Sequence, residues 1–472
     1  MKNDILPDEK SVNVLRAAYR AWCAAADLRS RRERYKRYTY GRQWDDLVTD
    51  GSGNTMTEGE LARKSGKRPM TNNLIRQLVK SIVGRFRNNM ADESLSDDVA
   101  RLAECNSLAE LDSRLLEEFL ISGCAIQRVV RERRQHGDGV WVDNVNPTRF
   151  FVNAIEDPRS WDVELVGMTH DMNLAEVIMR FAGNDRHRAE WLREVYADMS
   201  PIAPDSICES STHNDFFRAG RGRCRVIEVW TLECREQLRC HDREDATMFV
   251  VSLEREEEIE KENERRRKSG RHQIETRWEV ATKWHCRYVA PSGVLLDEYD
   301  SPFGHGSHPF VVKFHPLTDG EVHSFVEDVI DQQRYINRLI VLIDHIMSTS
   351  AKGVLLFPTD QKDDQYSWGE IARAWASCDG IIPYKPQSQQ PGPQQVISKT
   401  TDIGAYDLLS LEMKLLEDVS GVSDALLGKN VSSATGSALY ESQVKNATIA
   451  LADIFETFNT FRAGRNVKAL NC

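Results

Sequence analysis

Residues 320–350 read "GEVHSFVEDVIDQQRYINRLIVLIDHIMSTS" (Gly320–Ser350). Val322, Phe325, Val326, Val329, Ile336, Leu339, Ile340, Ile343, Ile346 and Met347 recur at three-to-four spacing and form one apolar face. At ~1.5 Å per residue, an uninterrupted helix here is on the order of 40 Å long. That exceeds the ordinary three-turn helix. A second helical stretch, Thr401–Val419, puts Ile403, Tyr406, Leu409, Met413 and Leu416 on one side. Between the two, residues 351–399 read as strand, helix and strand, then a Pro/Gln-rich linker. The order is a long helix out, a small α/β tip and a long helix back. Such a hairpin cannot bury a broad core within one chain, so copies of the chain are the simplest cover. A head-to-tail ring closes that interface without leftover edges. Phe325, Val329, Ile336, Leu339 and Ile343 are the candidate packing residues for it.

Composition frames this reading. A chain of 472 residues, 40% hydrophobic, predicts two to four domains with real cores. No run of 18 apolar residues exists, so no membrane-spanning helix is expected. The N-terminus lacks an apolar core followed by a small-residue cleavage site, so secretion is not expected. Ten cysteines are scattered without paired spacing and read as free, mostly buried thiols. The net charge of −11 argues against a sequence-specific DNA reader, which is usually basic. It does not argue against a conduit that encloses DNA without gripping it.

Residues 10–47 read as helix, with Val14, Ala17, Ala18, Ala21 and Trp22 as an apolar stripe. The later part, Arg29–Arg42, is dense in Arg, Lys and Tyr. Either it meets a nucleic-acid backbone and stacks on bases, or it is a solvated helix face whose tyrosines pack on the body. Beyond the loop Asp50–Glu60, Leu74, Leu78, Ile82 and Phe86 step by four, with Thr71, Asn72 or Asn73 as the cap. Residues 95–123 predict two more helices. The period then changes to two. Gly137–Asp138–Gly139 between Ala125–Arg131 and Val140–Val145 is a hairpin signal. Further strands are expected at 161–172, 224–236 and 276–300, with a helix at 173–198. Leu253–Arg271 is almost entirely charged and reads as an exposed helical excursion, acidic first and basic last as the helix dipole favours. A final helix follows Gly436. The fold class is α+β and helix-rich.

Conventional chemistry finds little support. "LEDVSGVSDALLGKNVSSATGSALYESQ" (Leu416–Gln443) holds Gly428–Lys429 in a Gly/Ser-rich loop. A phosphate-binding loop needs G-x-x-x-x-G-K-[S/T] after a strand. Here Gly421 precedes Gly428 by seven positions, Asn430 replaces the magnesium-binding hydroxyl, and the preceding segment is helical. Ala219–Cys224 and Phe303–His308 lack the third glycine of a dinucleotide fingerprint. Cys224, Cys234, Cys240 and His241 do not have the short gaps of zinc knuckles. His241–Asp242 and Asp344–His345 gather no further histidines, and neither G-x-S-x-G nor H-E-x-x-H occurs. No catalytic residue, cofactor or metal ligand is expected.

Three blocks, taken in order, carry a resemblance. "RYKRYTYGRQWDD" followed by "RPMTNNLIRQLVKSIVGRFRNN", then "SFVEDVIDQQRYINRLIVLIDHIM" with its Gln333–Arg338 segment, then Leu416–Gln443, resemble the portal proteins of tailed double-stranded DNA phages, in particular short-tailed ones. The blocks span roughly residues 30–460. The resemblance implies a ring of twelve copies at one capsid vertex, through whose channel double-stranded DNA passes during packaging and ejection. It implies a wing (1–320), a first stem helix (320–350), a clip (351–399), a second stem helix (400–420), a tunnel loop region (421–437) and a C-terminal helix (438–472) with the crown minimal or absent. Lys429, Asn430, Ser432, Ser433 and Thr435 match the channel-facing tunnel loop. Tyr366, Trp368 and Trp375 fall in the clip, where partners dock. The implied partners are the terminase large subunit, major capsid and scaffolding proteins, and head-tail adaptor or connector proteins, with no membrane. The implied location is the virion, with the host cytoplasm during assembly.

On this reading the acidic charge has a use: a negative lining repels the duplex and keeps sliding friction low. The alternatives are a P-loop-like NTPase using Gly428–Lys429, or another capsid-associated adaptor. The first predicts ATP binding lost on Lys429→Ala. The second would lack the long helix, tip and helix. A nucleic-acid binder using Arg29–Arg42 predicts steeply salt-dependent DNA affinity.

Overall fold

The computed structural model describes residues 8–91, 96–134, 137–197, 215–220, 222–350, 354–376, 381–386, 391–396, 404–422, 449 and 451–472. The chain is α+β and helix-rich. It divides into two compact units: residues 1–33, 82–325 and 451–472, and residues 34–81 and 326–450.

The N-terminal helical stretch is two helices, α1 (Glu9–Ala24) and α2 (Ala26–Thr39), broken at Ala25. Asp8 caps α1 by accepting from the Ser11 amide. β1 (Leu47–Thr49) and β2 (Thr55–Thr57) form a hairpin. Asp50 Oδ1 accepts from the Ser52 and Asn54 amides in its turn. α3 (Glu58–Lys64) starts on a reciprocal cap between Thr57 and Glu60. α4 (Leu74–Ala91) buries Leu78, Ile82 and Phe86 of the predicted stripe. Asn73 caps it, accepting from the Arg76 amide at 3.1 Å. α5 (Asp97–Asn106) and α6 (Leu108–Ser122) follow. α6 stops at Gly123, where φ is +72° and a Cβ would lie 2.6 Å from Val322 Cγ1, so only glycine fits.

β3 (Cys124–Arg134) and β4 (Gly137–Asn144) form the predicted hairpin, with Arg134 opposite Gly137. β5 (Phe150–Val152) and β6 (Leu165–Met172) lead into α7 (Leu174–Phe181) and α8 (Arg186–Ala197). β7 (Cys224–Asp242), β8 (Thr247–Ser252), α9 (Glu256–Lys268), β9 (Glu275–Val289) and β10 (Leu295–Asp300) come next. β11 (Phe310–Phe314) precedes the short pair β12 (Pro316–Thr318) and β13 (Glu321–Val322). One antiparallel sheet runs β11-β3-β4. The larger runs β10-β9-β7-β6-β5, with β8 on the outer half of β7.

The apolar run that opens β7 is buried on both faces. Val226 and Trp230 join a core with Val177, Phe181, Leu192 and Val195 of α7 and α8. Ile227 and Val229 join another with Leu15 and Ala18 of α1, Phe216 and Phe217. The outer halves of β7 and β9 keep a small separate core of Leu238, Cys240 and Ile274, joined by Phe249, Val251, Leu253 and Ile259. The charged excursion is the α9 helix lying on that core.

α10 (Phe325–Ser350) is one helix of 26 residues; it starts later than the expected Gly320, because Val322, read into its apolar face, pairs with Pro316 in β13. The tip comprises β14 (Val354–Leu356), α11 (Trp368–Ala376) and β15 (Gln394–Val396), with β14 and β15 paired antiparallel. α12 (Ala405–Ser420) runs back. α13 (Ala452–Leu470) is anchored within its own unit by two arginines. Arg462 Nε and Arg465 Nη1 both donate to the fully buried carboxylate of Asp112.

Candidate functional site

The first two of the blocks that carry the sequence resemblance meet in one buried amide network within the second unit. Gln333 of α10 is fully buried. Its Oε1 accepts from the amides of Leu74 (2.9 Å) and Ile75 (3.2 Å), the orphan donors at the start of α4. Its Nε2 donates to Asn72 O (2.7 Å) and Asn337 Oδ1 (3.1 Å). Asn337 Nδ2 donates to Gln43 Oε1, and Gln43 Nε2 donates to Tyr38 O and Asn73 Oδ1. Asn73 Nδ2 closes the circuit on Thr39 O. Beside it, Arg338 Nε donates to Glu58 at 2.6 Å and Arg334 reaches the same carboxylate at 3.4 Å. The arrangement moves no proton. It locks the middle of α10 to the end of α2 and the start of α4.

The basic, tyrosine-rich stretch Arg29–Arg42 is largely spent inside the chain. Arg29 is buried with its guanidinium 3.7 Å from the Trp22 ring centroid. Burial pushes its pKa down to about 10. Arg32 makes a two-point pair with Glu118 at 2.6 and 2.7 Å. Tyr35 and Tyr38 are buried, and Asp46 collects Arg34, Arg37 and the Tyr38 hydroxyl. Tyr35 and Tyr38 thus pack on the body, whereas Tyr40 is exposed with the Arg76 guanidinium 4.6 Å from its ring centroid.

The helix faces are distributed differently from the sequence expectation. Phe325, Val329, Ile336 and Leu339, expected to pack between copies, are buried within the single chain, and Ile343 is half-buried. The long helix therefore spends its main apolar face at home. The exposed apolar surface lies on α12, which has two such faces. Tyr406, Leu409, Met413 and Leu416 occupy the predicted face, with Leu416 buried and the Tyr406 hydroxyl 3.2 Å from Met347 Sδ. Leu408, Leu411, Leu415 and Val419 fall on the opposite side at the same helical spacing. Leu411, Leu415 and Val419 are 51%, 39% and 47% exposed. On the tip, Tyr366 and Trp368 are exposed and Trp375 is half-buried. The Phe357 ring meets Trp368 edge-on at 5.9 Å. Lys429, Asn430, Ser432, Ser433 and Thr435 lie outside the described residues.

The family model for phage P22-like portal proteins matches residues 15–465, taking in all three blocks. The chain belongs to that family. It is a phage portal protein, which forms the channel at the capsid vertex through which DNA is packaged, and serves as the head-tail connector of the virion. A portal works as an oligomeric ring with capsid and DNA, and the family is a structural one. Among curated proteins no match was found. No helix among the described residues is long and apolar enough to cross a membrane.

The portal's first unit also carries a buried polar cluster that no motif flagged. Glu228 of β7 is fully buried. It faces His170 Nε2 at 2.7 Å, Trp230 Nε1 at 2.8 Å and Arg128 at 3.3 Å. Burial opposes its charge, but Arg128 and the His170 hydrogen bond outweigh burial and hold the carboxyl well below the usual range. Burial lowers the His170 pKa despite that bond. Arg180 continues the cluster through Tyr288 to Tyr299. The signal in the sequence was a single Glu inside an otherwise apolar strand, which only an internal cation makes tolerable. Among the described residues no group of three or more His, Cys, Asp or Glu is placed to hold a metal. Cys224, Cys234 and Cys240 are strung along β7 and remain free thiols.

Proposed function

We propose that twelve copies assemble head to tail into the ring, with residues 1–320 as wing, 320–350 and 400–420 as stem helices, and 351–399 as clip. The terminase large subunit docks on the clip around Tyr366, Trp368 and Trp375 during packaging. Head-tail adaptor or connector proteins take its place afterwards, and major capsid and scaffolding proteins hold the rim. The loop from Lys429 to Thr435 borders the moving DNA. Assembly takes place in the host cytoplasm, and the chain itself catalyses nothing.

The observation that carries the assembly is the second apolar face of α12. A helix with apolar residues on opposite sides needs two covers. Within the chain Leu416 is buried, but Tyr406 and Met413 on the same side stay 55% and 42% exposed. Neighbouring copies supply the cover. The packing surface thus moves from Phe325, Val329, Ile336 and Leu339 to Leu411, Leu415 and Val419. Each is about half exposed, so covering the rest contributes about 1 kcal/mol apiece. Leu411→Ser with Leu415→Ser should therefore raise the concentration for half-assembly roughly 30-fold. Light scattering and electron microscopy of the same fraction measure it. Rings as stable as those of the unmodified chain would remove α12 from the interface.

A further inference from the structure

We infer that the β10–β11 loop and the last turn of α13 form a pH-operated latch, closed when Lys468, His305 and His308 are neutral and opened when they take up protons. α13 lies against β3 and β11 and is held there by two unlike means. At Arg462 and Arg465 the hold is an ion pair with Asp112. One turn further on it is built from basic groups alone. Lys468 Nζ donates to His308 O at 2.6 Å and to Phe310 O at 2.8 Å. The loop, residues 301–309, follows the end of the helix closely, so that a Cβ on Gly304 would lie 2.9 Å from Asn471 O. The other groups that face the latch are the Cys472 thiol beside Lys468 and Arg131 of β3 beside Cys472. Trp284 of β9 meets the His308 ring edge-on at 4.6 Å, and Phe303 stacks on His305 at 5.1 Å. Among the described residues no carboxylate acts on Lys468, His305 or His308.

Each of the three groups is fitted for its uncharged form. A neutral amine has two N–H groups, and Lys468 finds two carbonyls; an ammonium brings a third N–H and a charge that nothing answers. His305 Nδ1 accepts from the Ser307 amide at 3.1 Å, and His308 Nδ1 from the Phe310 amide at 3.2 Å. Protonating either Nδ1 sets one N–H against another and breaks the turn that shapes the loop. His305 Nε2 is buried without a hydrogen-bond partner and offers no relief. Burial accordingly lowers Lys468 to about 7 and His305 to about 4, and holds His308 well below its ordinary value. Once the latch opens, the amine returns to about 10.4 and the imidazoles to about 6.5. The open form then binds more protons than the closed one across the whole interval, so acidification favours it. Between pH 8.5 and pH 6.5 Lys468 alone shifts the open-to-closed ratio roughly 20-fold. The histidines take over below about 6.5.

Amide hydrogen exchange of the full chain, corrected for the intrinsic effect of pH on exchange, tests this. Protection over residues 466–470 should fall roughly 20-fold from pH 8.5 to pH 6.5, while protection over residues 74–91 stays level. Lys468→Met and Lys468→Gln are neutral at every pH and should both lose the fall. Equal protection of residues 466–470 at the two pH values would overturn the latch, and that measurement needs no variant. A fall that persists in either folded Lys468 variant would overturn it as well. An equal fall over residues 74–91 would mark a general loosening of the chain and likewise overturn it.

Discussion

Replacing Gln333 by alanine strips four hydrogen bonds from one buried point. The Ile75 amide loses its acceptor at the start of α4, because nothing precedes it in the helix to take its place, whereas the Leu74 amide keeps Asn72 O at 2.9 Å. Ile75 is fully buried, so water cannot substitute there without opening the structure. One orphaned buried donor costs about 1–3 kcal/mol. The half-buried Leu74 amide adds less, and the space left by the amide adds about 1 kcal/mol more. Asn72 O keeps the Leu74 amide, and Asn337 Oδ1 keeps the Asn72 amide. The sum is about 2–4 kcal/mol. Hydrogen exchange over residues 70–80 reads it locally: protection of the Ile75 amide should fall by roughly 10²–10³-fold. Gln333→Glu separates the roles. It keeps the acceptor for both amides and places a negative charge at a helix N-terminus, but sets an acceptor against Asn72 O and Asn337 Oδ1. Its exchange should lie between the two. An alanine variant that exchanges less than tenfold faster than the unmodified chain would refute the network as the lock on α10.

Asp112→Ala removes the buried carboxylate that Arg462 and Arg465 share, which should cost roughly 3–5 kcal/mol; trypsin should then cut at α13 first, and unchanged resistance would count against the anchor. Stability of the first unit should fall on acidification in two stages. Burial holds His170, His305 (about 4) and His308 below their ordinary value, so the unfolded chain binds protons first as pH drops below about 6.5. Glu228 adds its loss below about 4.5, since its folded pKa is depressed. A urea midpoint equal at pH 7 and pH 5 would exclude the first stage. Gly167→Ala would set a Cβ 2.1 Å from Glu228 O between β6 and β7, so the variant should fail to accumulate as soluble chain; normal yield would show that the two strands can part.

Much of this architecture is written in periodicity. Val322–Met347 steps at helical spacing without a breaker, and α10 is continuous. Gly137–Asp138–Gly139 marks the β3–β4 turn, and the sorted charges of Leu253–Arg271 mark α9. What periodicity cannot say is who covers a face. Ile336 looks the same whether its cover is a copy or its own chain. "LLSLEMKLL" contains two stripes on opposite sides, and reading the Tyr406 stripe alone hides the one through Leu411 and Leu415. Asn73 is legible as a candidate cap, but no period marks Gln43, Gln333 and Asn337 as buried, since amides are usually solvated. Their burial is decided by partners nearly three hundred residues away. The break at Ala25 left no Gly or Pro to announce it.

The pairing of Asp112 with Arg462 and Arg465 also sets an order in time. The acid is made some 350 residues before the cations that neutralise it. Until then α6 and the β3–β4 hairpin hold a carboxylate that meets the Gln127 amide at 3.4 Å but lacks these two cations, so that layer stays loosely closed during synthesis. Addition of α13 closes it. Any nascent chain interrupted before residue 462 lacks the clasp and remains open to proteases. Closure of this layer is thus deferred until the chain has been made past Arg465.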